Sequence, residues 1–301
     1  MQTSPNSRSH PVSATTELSR LVACAHLTDV RAARWLDQSA RARGMNITAI
    51  RVKQWRGFHD KVIYLRRFLS DLPQDSIVLY LDAYDVLINR SAEDIWRIYH
   101  DMGEGVIFSG ELNAYPARYR VAYLEHFNPL PTNYRFLNSG SFMGPRDRLI
   151  EILDHLPEDD LHRICHEGSD QAYYAEYYLQ HRFSHSDLKI DHYCRLFQNF
   201  YHAPWHRFRI EDGLIINEEF GHAPCVLHFS GRSYLDSQQN NVMPEMTRRM
   251  LARETHDPMW HVPPLYRPLR QKPDSVDPST GLAHPDEMTE SHLRDYTIRN
   301  T

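Results

Sequence analysis

The sequence predicts an α/β protein with a mostly parallel central sheet. Short apolar runs of strand length alternate with amphipathic segments of helix length from about residue 20 to about 235. One run, Ile77-Val78-Leu79-Tyr80-Leu81, is the strongest strand signal in the chain and leads straight into Asp82-Ala83-Tyr84-Asp85. With 301 residues, 41% of them hydrophobic and 24% charged, the chain is long enough to bury a large core and too apolar to be disordered throughout.

Taken in order, residues 1–16 are rich in Ser, Thr, Asn and Pro and read as a disordered lead-in. Leu21-Val22-Ala23-Cys24-Ala25 has the character of a buried strand. Thr28 is placed to cap a helix through Arg43, with Val30, Ala33, Leu36 and Ala40 toward the core and Gly44 as its stop. A second strand spans Ile47 to Val52, and Asp60 caps a helix whose apolar side carries Ile63, Leu65, Phe68 and Leu69. After the strand at Ile77, Ser91 starts a helix with Ile95, Trp96, Ile98 and Tyr99 inward, followed by a strand over Gly105 to Ser109. Further strands are expected near residues 136–143, 187–191 and 225–229, and helices near 146–155 and 169–180. The transition after Leu235 divides the chain into a 17–235 domain and a 236–301 arm or tail, with seven prolines between residues 257 and 287.

Several function classes are excluded early. No G-x-G-x-x-G or G-x-x-x-x-G-K-[ST] occurs among the 12 glycines, which removes the usual dinucleotide and P-loop fingerprints. A net charge of −5 supplies no overall basic field for nucleic acid, although a modified base as acceptor stays open. No apolar run reaches membrane-spanning length, and the N-terminus has no apolar signal core, so a cytoplasmic protein with no membrane partner is expected. The four cysteines form no C-x-x-C pair and read as buried, reduced thiols.

In an open α/β sheet, ligands gather at the carboxyl ends of strands, where Asp82 and Asp85 lie. Two carboxylates three residues apart on a turn can converge on one hard divalent cation shared with substrate phosphates. The same pattern also describes a turn in which an aspartate merely caps the chain.

Motifs in a fixed order narrow the choice. They are Tyr80-Leu81-Asp82-Ala83-Tyr84-Asp85-Val86, Phe108-Ser109-Gly110-Glu111, Tyr115-Pro116, Leu137-Asn138-Ser139-Gly140, Ser169-Asp170-Gln171, Ile190-Asp191 with Phe197-Gln198-Asn199, and His228-Phe229-Ser230-Gly231. In that order the chain resembles the glycosyltransferase domain of the multifunctional procollagen lysyl hydroxylases, of GT-A type, and more loosely the collagen galactosyltransferases. The resemblance implies a Rossmann-like nucleotide-sugar transferase domain with helices on both faces of its sheet. It also implies transfer of glucose or galactose from UDP-glucose or UDP-galactose to a hydroxyl-bearing acceptor, with Mn²⁺, or Mg²⁺, as cofactor.

By position, the resemblance makes Asp82, Asp85 and His228 the metal ligands. Lys61 would reach the diphosphate, and Tyr84 would stack on uracil or simply pack in the core. Asn138 and Ser139 would hydrogen-bond the donor sugar or the acceptor. Asp170 would handle the acceptor hydroxyl or buttress the donor sugar, unless it serves only the N-terminus of its helix. Asp191 and Glu111 would anchor sugar hydroxyls, while Gly231 and Arg232 would lie against the donor. Ser169, Tyr115 and Ser230 depart from the family's Asp, Trp and Asn. Those departures keep an alternative in view, a decayed nucleotide-sugar-binding or scaffold protein on the same fold.

Overall fold

The computed structural model describes residues 17–29, 31–127, 129–230 and 242–253. The expected lead-in, Val30, Gly231, Arg232 and the proline-rich stretch lie outside the described residues.

The architecture is the expected α/β one with a mostly parallel central sheet. Six strands, β1 (Leu21–Leu27), β2 (Thr48–Arg51), β3 (Ile77–Leu81), β5 (Val106–Glu111), β6 (Phe136–Pro145) and β7 (Leu188–Asp191), form a sheet in the order β2-β1-β3-β6-β5-β7. All run the same way except β6, which is antiparallel to both β3 and β5. A second, three-stranded sheet places β11 (Val226–His228) between β4 (Val86–Ile88) and β8 (Phe197–Asn199). β9 (Phe208–Glu211) and β10 (Leu214–Asn217) make a separate hairpin.

Every residue of β3 is buried, because helices cover both faces of the sheet. One face packs Val78, Tyr80, Phe108 and Phe142 beneath α2 (His59–Ser70), α5 (Arg146–Leu153) and α6 (Glu158–His181). The other packs Leu79, Leu81, Ile107 and Met143 against α1 (Arg34–Ala42) and α3 (Ala92–Asp101). The short helix α4 (Arg120–His126) closes over the first face through Tyr123. All four cysteines are buried and unpaired, and among the described residues no helix is long and apolar enough to cross a membrane.

Four local expectations change. Thr28 caps no helix: its N–H donates to the Tyr84 hydroxyl at 2.8 Å, and α1 starts only at Arg34. Asp60 lies inside the first turn of α2, where its carboxylate accepts the Arg56 backbone N–H at 2.7 Å instead of capping the helix. The helix expected from Ser169 starts at Glu158, with Glu158, Asp159 and Asp160 in its first turn. Ser169 itself has φ +61° and its Oγ accepts the Gln171 N–H at 3.2 Å, a local bond that competes with regular helix. Finally, packed structure continues past Leu235. α7 (Val242–Leu251) inserts Met246 and Met250 into a third apolar cluster with Phe200, Phe208 and Phe229.

Candidate metal and donor site

Backbone hydrogen bonds bring the site together at the carboxyl end of β3. The Asp82 N–H donates to the Gly140 carbonyl at 2.7 Å, tying the turn after β3 to antiparallel β6. The Phe229 N–H donates to the Asp85 carbonyl at 2.8 Å, and His228 pairs with Val86 across β11 and β4. One ligand atom each from Asp82, Asp85 and His228 consequently lies within 4.8 Å of the others. His228 Nε2 stands 3.4 Å from Asp85 Oδ2 and 3.9 Å from Asp82 Oδ2.

This donor set fits a divalent cation. His228 Nε2 is buried and makes no hydrogen bond, an arrangement a metal ion completes. Gly140 keeps the space clear, since a Cβ there would fall 2.2 Å from His228 Cε1 and 2.8 Å from Asp82 Oδ2.

Charge is concentrated here. Lys61 Nζ donates to Asp82 Oδ1 at 2.5 Å and stands 3.6 Å from Asp170 Oδ2. Burial opposes its ammonium, but Asp170 and Asp82 outweigh burial and hold its pKa above the ordinary lysine value. Burial also opposes the His228 cation, and Asp85 and Asp82 again prevail, raising its pKa. The two aspartates diverge: burial and the neighbouring Asp85 raise Asp82, whereas His228 overcomes burial to lower Asp85.

Beside the triad is a cavity of about 370 Å³ lined by His26, Thr28, Val52, Trp55, Phe58, Lys61, Asp82, Ala83, Tyr84 and Asp85. Tyr84 forms one wall, its hydroxyl pinned by the N–H groups of Thr28 and Asp29. Trp55 and Phe58, 43% and 45% exposed, meet edge to face at 5.8 Å on the rim. Phe58 was not legible as a site residue; its signal is an aromatic in a loop whose neighbours Arg56 and Gly57 give it no apolar partner.

The remaining expected residues divide. Ser139 Oγ donates to Asp170 Oδ2 at 3.1 Å, so both stand with Lys61 beside Asp82. Asp191 does not join them. Its oxygens accept the N–H groups of Arg195, Leu196 and Phe197, which organises a buried turn. Asn138 is equally committed. Its Nδ2 donates to Glu111 and Gln171, and its Oδ1 accepts from the Gly140 N–H and faces His228 Nδ1 at 3.0 Å. Glu111 also accepts from Gln171 Nε2 at 2.6 Å, and burial, outweighing these two amide donors, pushes its pKa up to about 8. Gln171 escaped the sequence reading as a site residue because a glutamine beside a helical aspartate carries no signal of its own.

Comparison with known proteins adds a family. Residues 29–249 match the family model described as the PLOD GT domain. The chain is 25% identical over 215 residues to procollagen-lysine,2-oxoglutarate 5-dioxygenase of Drosophila melanogaster, covering 66% of this chain and 29% of that protein. It is 25% identical over 227 residues to the human multifunctional procollagen lysine hydroxylase and glycosyltransferase LH3, covering 70% of this chain and 28% of that one. The chain thus spans under a third of the length of these relatives. Among solved structures, the galactosyltransferase LgtC with donor and acceptor sugar analogs superposes loosely, with a TM-score of 0.41 at 14% identity over 76% of this chain and 95% of that one.

Proposed function

The chain belongs to the PLOD GT domain family, and from that premise we propose that it is a metal-dependent glycosyltransferase moving glucose or galactose from a UDP-sugar to an acceptor hydroxyl. The convergence of Asp82, Asp85 and His228 beside an aromatic-walled cavity carries this reading. Bound there, Mn²⁺ or Mg²⁺ would neutralise the diphosphate and ease departure of UDP.

The chain's own groups then take complementary parts. Lys61 is held at the mouth of the cavity by two carboxylates. It offers a mobile point charge to the diphosphate once other charges engage those carboxylates. Tyr84, fixed at its hydroxyl, presents a rigid wall on which a pyrimidine can stack, with Trp55 and Phe58 closing the rim. Asp170, held by Ser139 and Lys61, is the carboxylate placed to orient the acceptor or the donor sugar. Asn138 and Asp191 act one layer further out, on the groups that form the site.

The test is UDP release from a panel of UDP-sugars with Mn²⁺, with and without EDTA. Slow, chelator-sensitive release from one donor is expected, and Asp85→Asn should abolish it while leaving the melting temperature within a few degrees. Wild-type turnover in that variant would overturn the ligand assignment. UDP binding without release from any donor would favour a nucleotide-sugar-binding protein on the same fold.

A further inference from the structure

A histidine that ligates through Nε2 needs its proton on Nδ1, and the groups around His228 bear on where that proton sits. His228 Nδ1 faces an acceptor, Asn138 Oδ1, at 3.0 Å and a donor, Asn199 Nδ2, at 3.5 Å. It can serve only one of them.

The orientation of the Asn138 amide is fixed by backbone groups that cannot flip. Its Oδ1 accepts from the Gly140 N–H at 3.0 Å. Its Nδ2 donates to Gln171 Oε1 at 3.1 Å, and that amide is oriented in turn because Gln171 Nε2 donates to the Tyr115 carbonyl at 3.1 Å. Glu111 closes the arrangement by accepting from both amides. Polarity therefore runs one way, from the Tyr115 carbonyl through Gln171 and Asn138 to the imidazole. Reversing Asn138 would set its NH₂ group against the Gly140 N–H and its oxygen against Glu111 and Gln171 Oε1. The rival tautomer is served less well: Nε2 would have only Asp85 Oδ2, at 3.4 Å and outside good hydrogen-bond geometry, and Nδ1 would keep only the 3.5 Å contact.

We propose that Asn138, oriented by Gln171 and Glu111, is a positioning residue that holds His228 as its Nδ1–H tautomer and so aims the Nε2 lone pair at the space between Asp82 and Asp85. The proposal rests on the metal-site reading and changes the part played by Asn138. Its amide, fully engaged within the protein, acts on the ligand and not on the sugar.

Two measurements on the full chain test it. Mn²⁺ affinity is read from the electron paramagnetic resonance signal of the free aqua ion, and the His228 tautomer from ¹⁵N ring shifts of metal-free protein at alkaline pH, where the imidazole is neutral. Asn138→Ala should weaken Mn²⁺ by roughly 10–100-fold, as loss of an outer-shell partner does, and should remove the Nδ1–H signature. Gln171→Ala, which leaves Asn138 in place, should weaken Mn²⁺ several-fold and serves if Asn138→Ala fails to fold; Asn199→Ala should leave affinity unchanged. Wild-type affinity in both Asn138→Ala and Gln171→Ala, or a wild-type His228 protonated on Nε2, would overturn the proposal. A wild-type protein that binds no Mn²⁺ would instead sink the metal reading, and the tautomer would still decide this one.

Discussion

Gly140 matters for the room it leaves. It is not in the left-handed region, so its backbone could be adopted by other residues, yet its missing Cβ is the space in which the imidazole and one aspartate meet. Gly140→Ala should therefore weaken Mn²⁺ at least tenfold, read by the same free-ion signal, because His228 or Asp82 must move aside. At this scale the sequence was informative where a residue's neighbours in the chain announce its role. Asp82 and Asp85 sit on a turn straight after the strongest strand, and His228 is recognisable through the segment it opens. It was uninformative for Asn138, whose role depends on the distant side chains of Glu111, Gln171 and His228, and for Asp191, whose oxygens are taken up by N–H groups of the loop that follows it. An aspartate accepting three backbone N–H groups and one touching a sugar are identical in one dimension.

Elements were legible where an unbroken apolar run or a true cap marked them, and length alone did not decide it. The strand Ile77–Leu81 coincides with its prediction, and α3 begins where Ser91 places it, with Ser91 Oγ accepting the Asp94 N–H at 3.2 Å. Ser91→Ala removes that acceptor and should cost about 1 kcal/mol in denaturant unfolding, with no effect on Mn²⁺ affinity. At its other end α3 is held by Lys189, whose Nζ donates to the Met102, Gly103 and Glu104 carbonyls. Nothing local advertises that arrangement, since the lysine comes from β7. β4, β9 and β10, of three or four residues each, were not singled out in the sequence, although β2, β7 and β11 of the same length were. The first eleven residues of α6 were not singled out in the sequence, although Glu158, Asp159 and Asp160 stand in its first turn.

For the molecule as a whole, alternation of strands and helices revealed the class but not the direction of β6. Strand composition is the same whichever way a strand runs, and only its partners fix the hand. Behind the site, the fold also buries a carboxyl group among amides, and this has a consequence for stability. The Glu111 pKa lies near 8 in the folded chain and near the ordinary 4.5 in the unfolded one. Between those values the native state binds the extra proton, so Glu111 supports the fold fully below about pH 4.5 and loses that contribution as pH rises to about 8. Stability of the wild type minus that of Glu111→Gln, followed by thermal or urea unfolding, should fall across that window and be flat above it. A difference that rises with pH would show that the two amide donors outweigh burial.

The second sheet gives the cation a place in time as well as in space. Asp82 and Asp85 border β3 and β4, but His228 belongs to β11, the last strand of the described fold, which enters between β4 and β8. During synthesis both carboxylates leave the ribosome well before their imidazole, and a chain ending at β10 carries Asp82 and Asp85 without the strand that pairs with β4 and bonds the Asp85 carbonyl. A cation held by all three groups would therefore couple its binding to insertion of β11 and favour the completed sheet over shorter nascent forms.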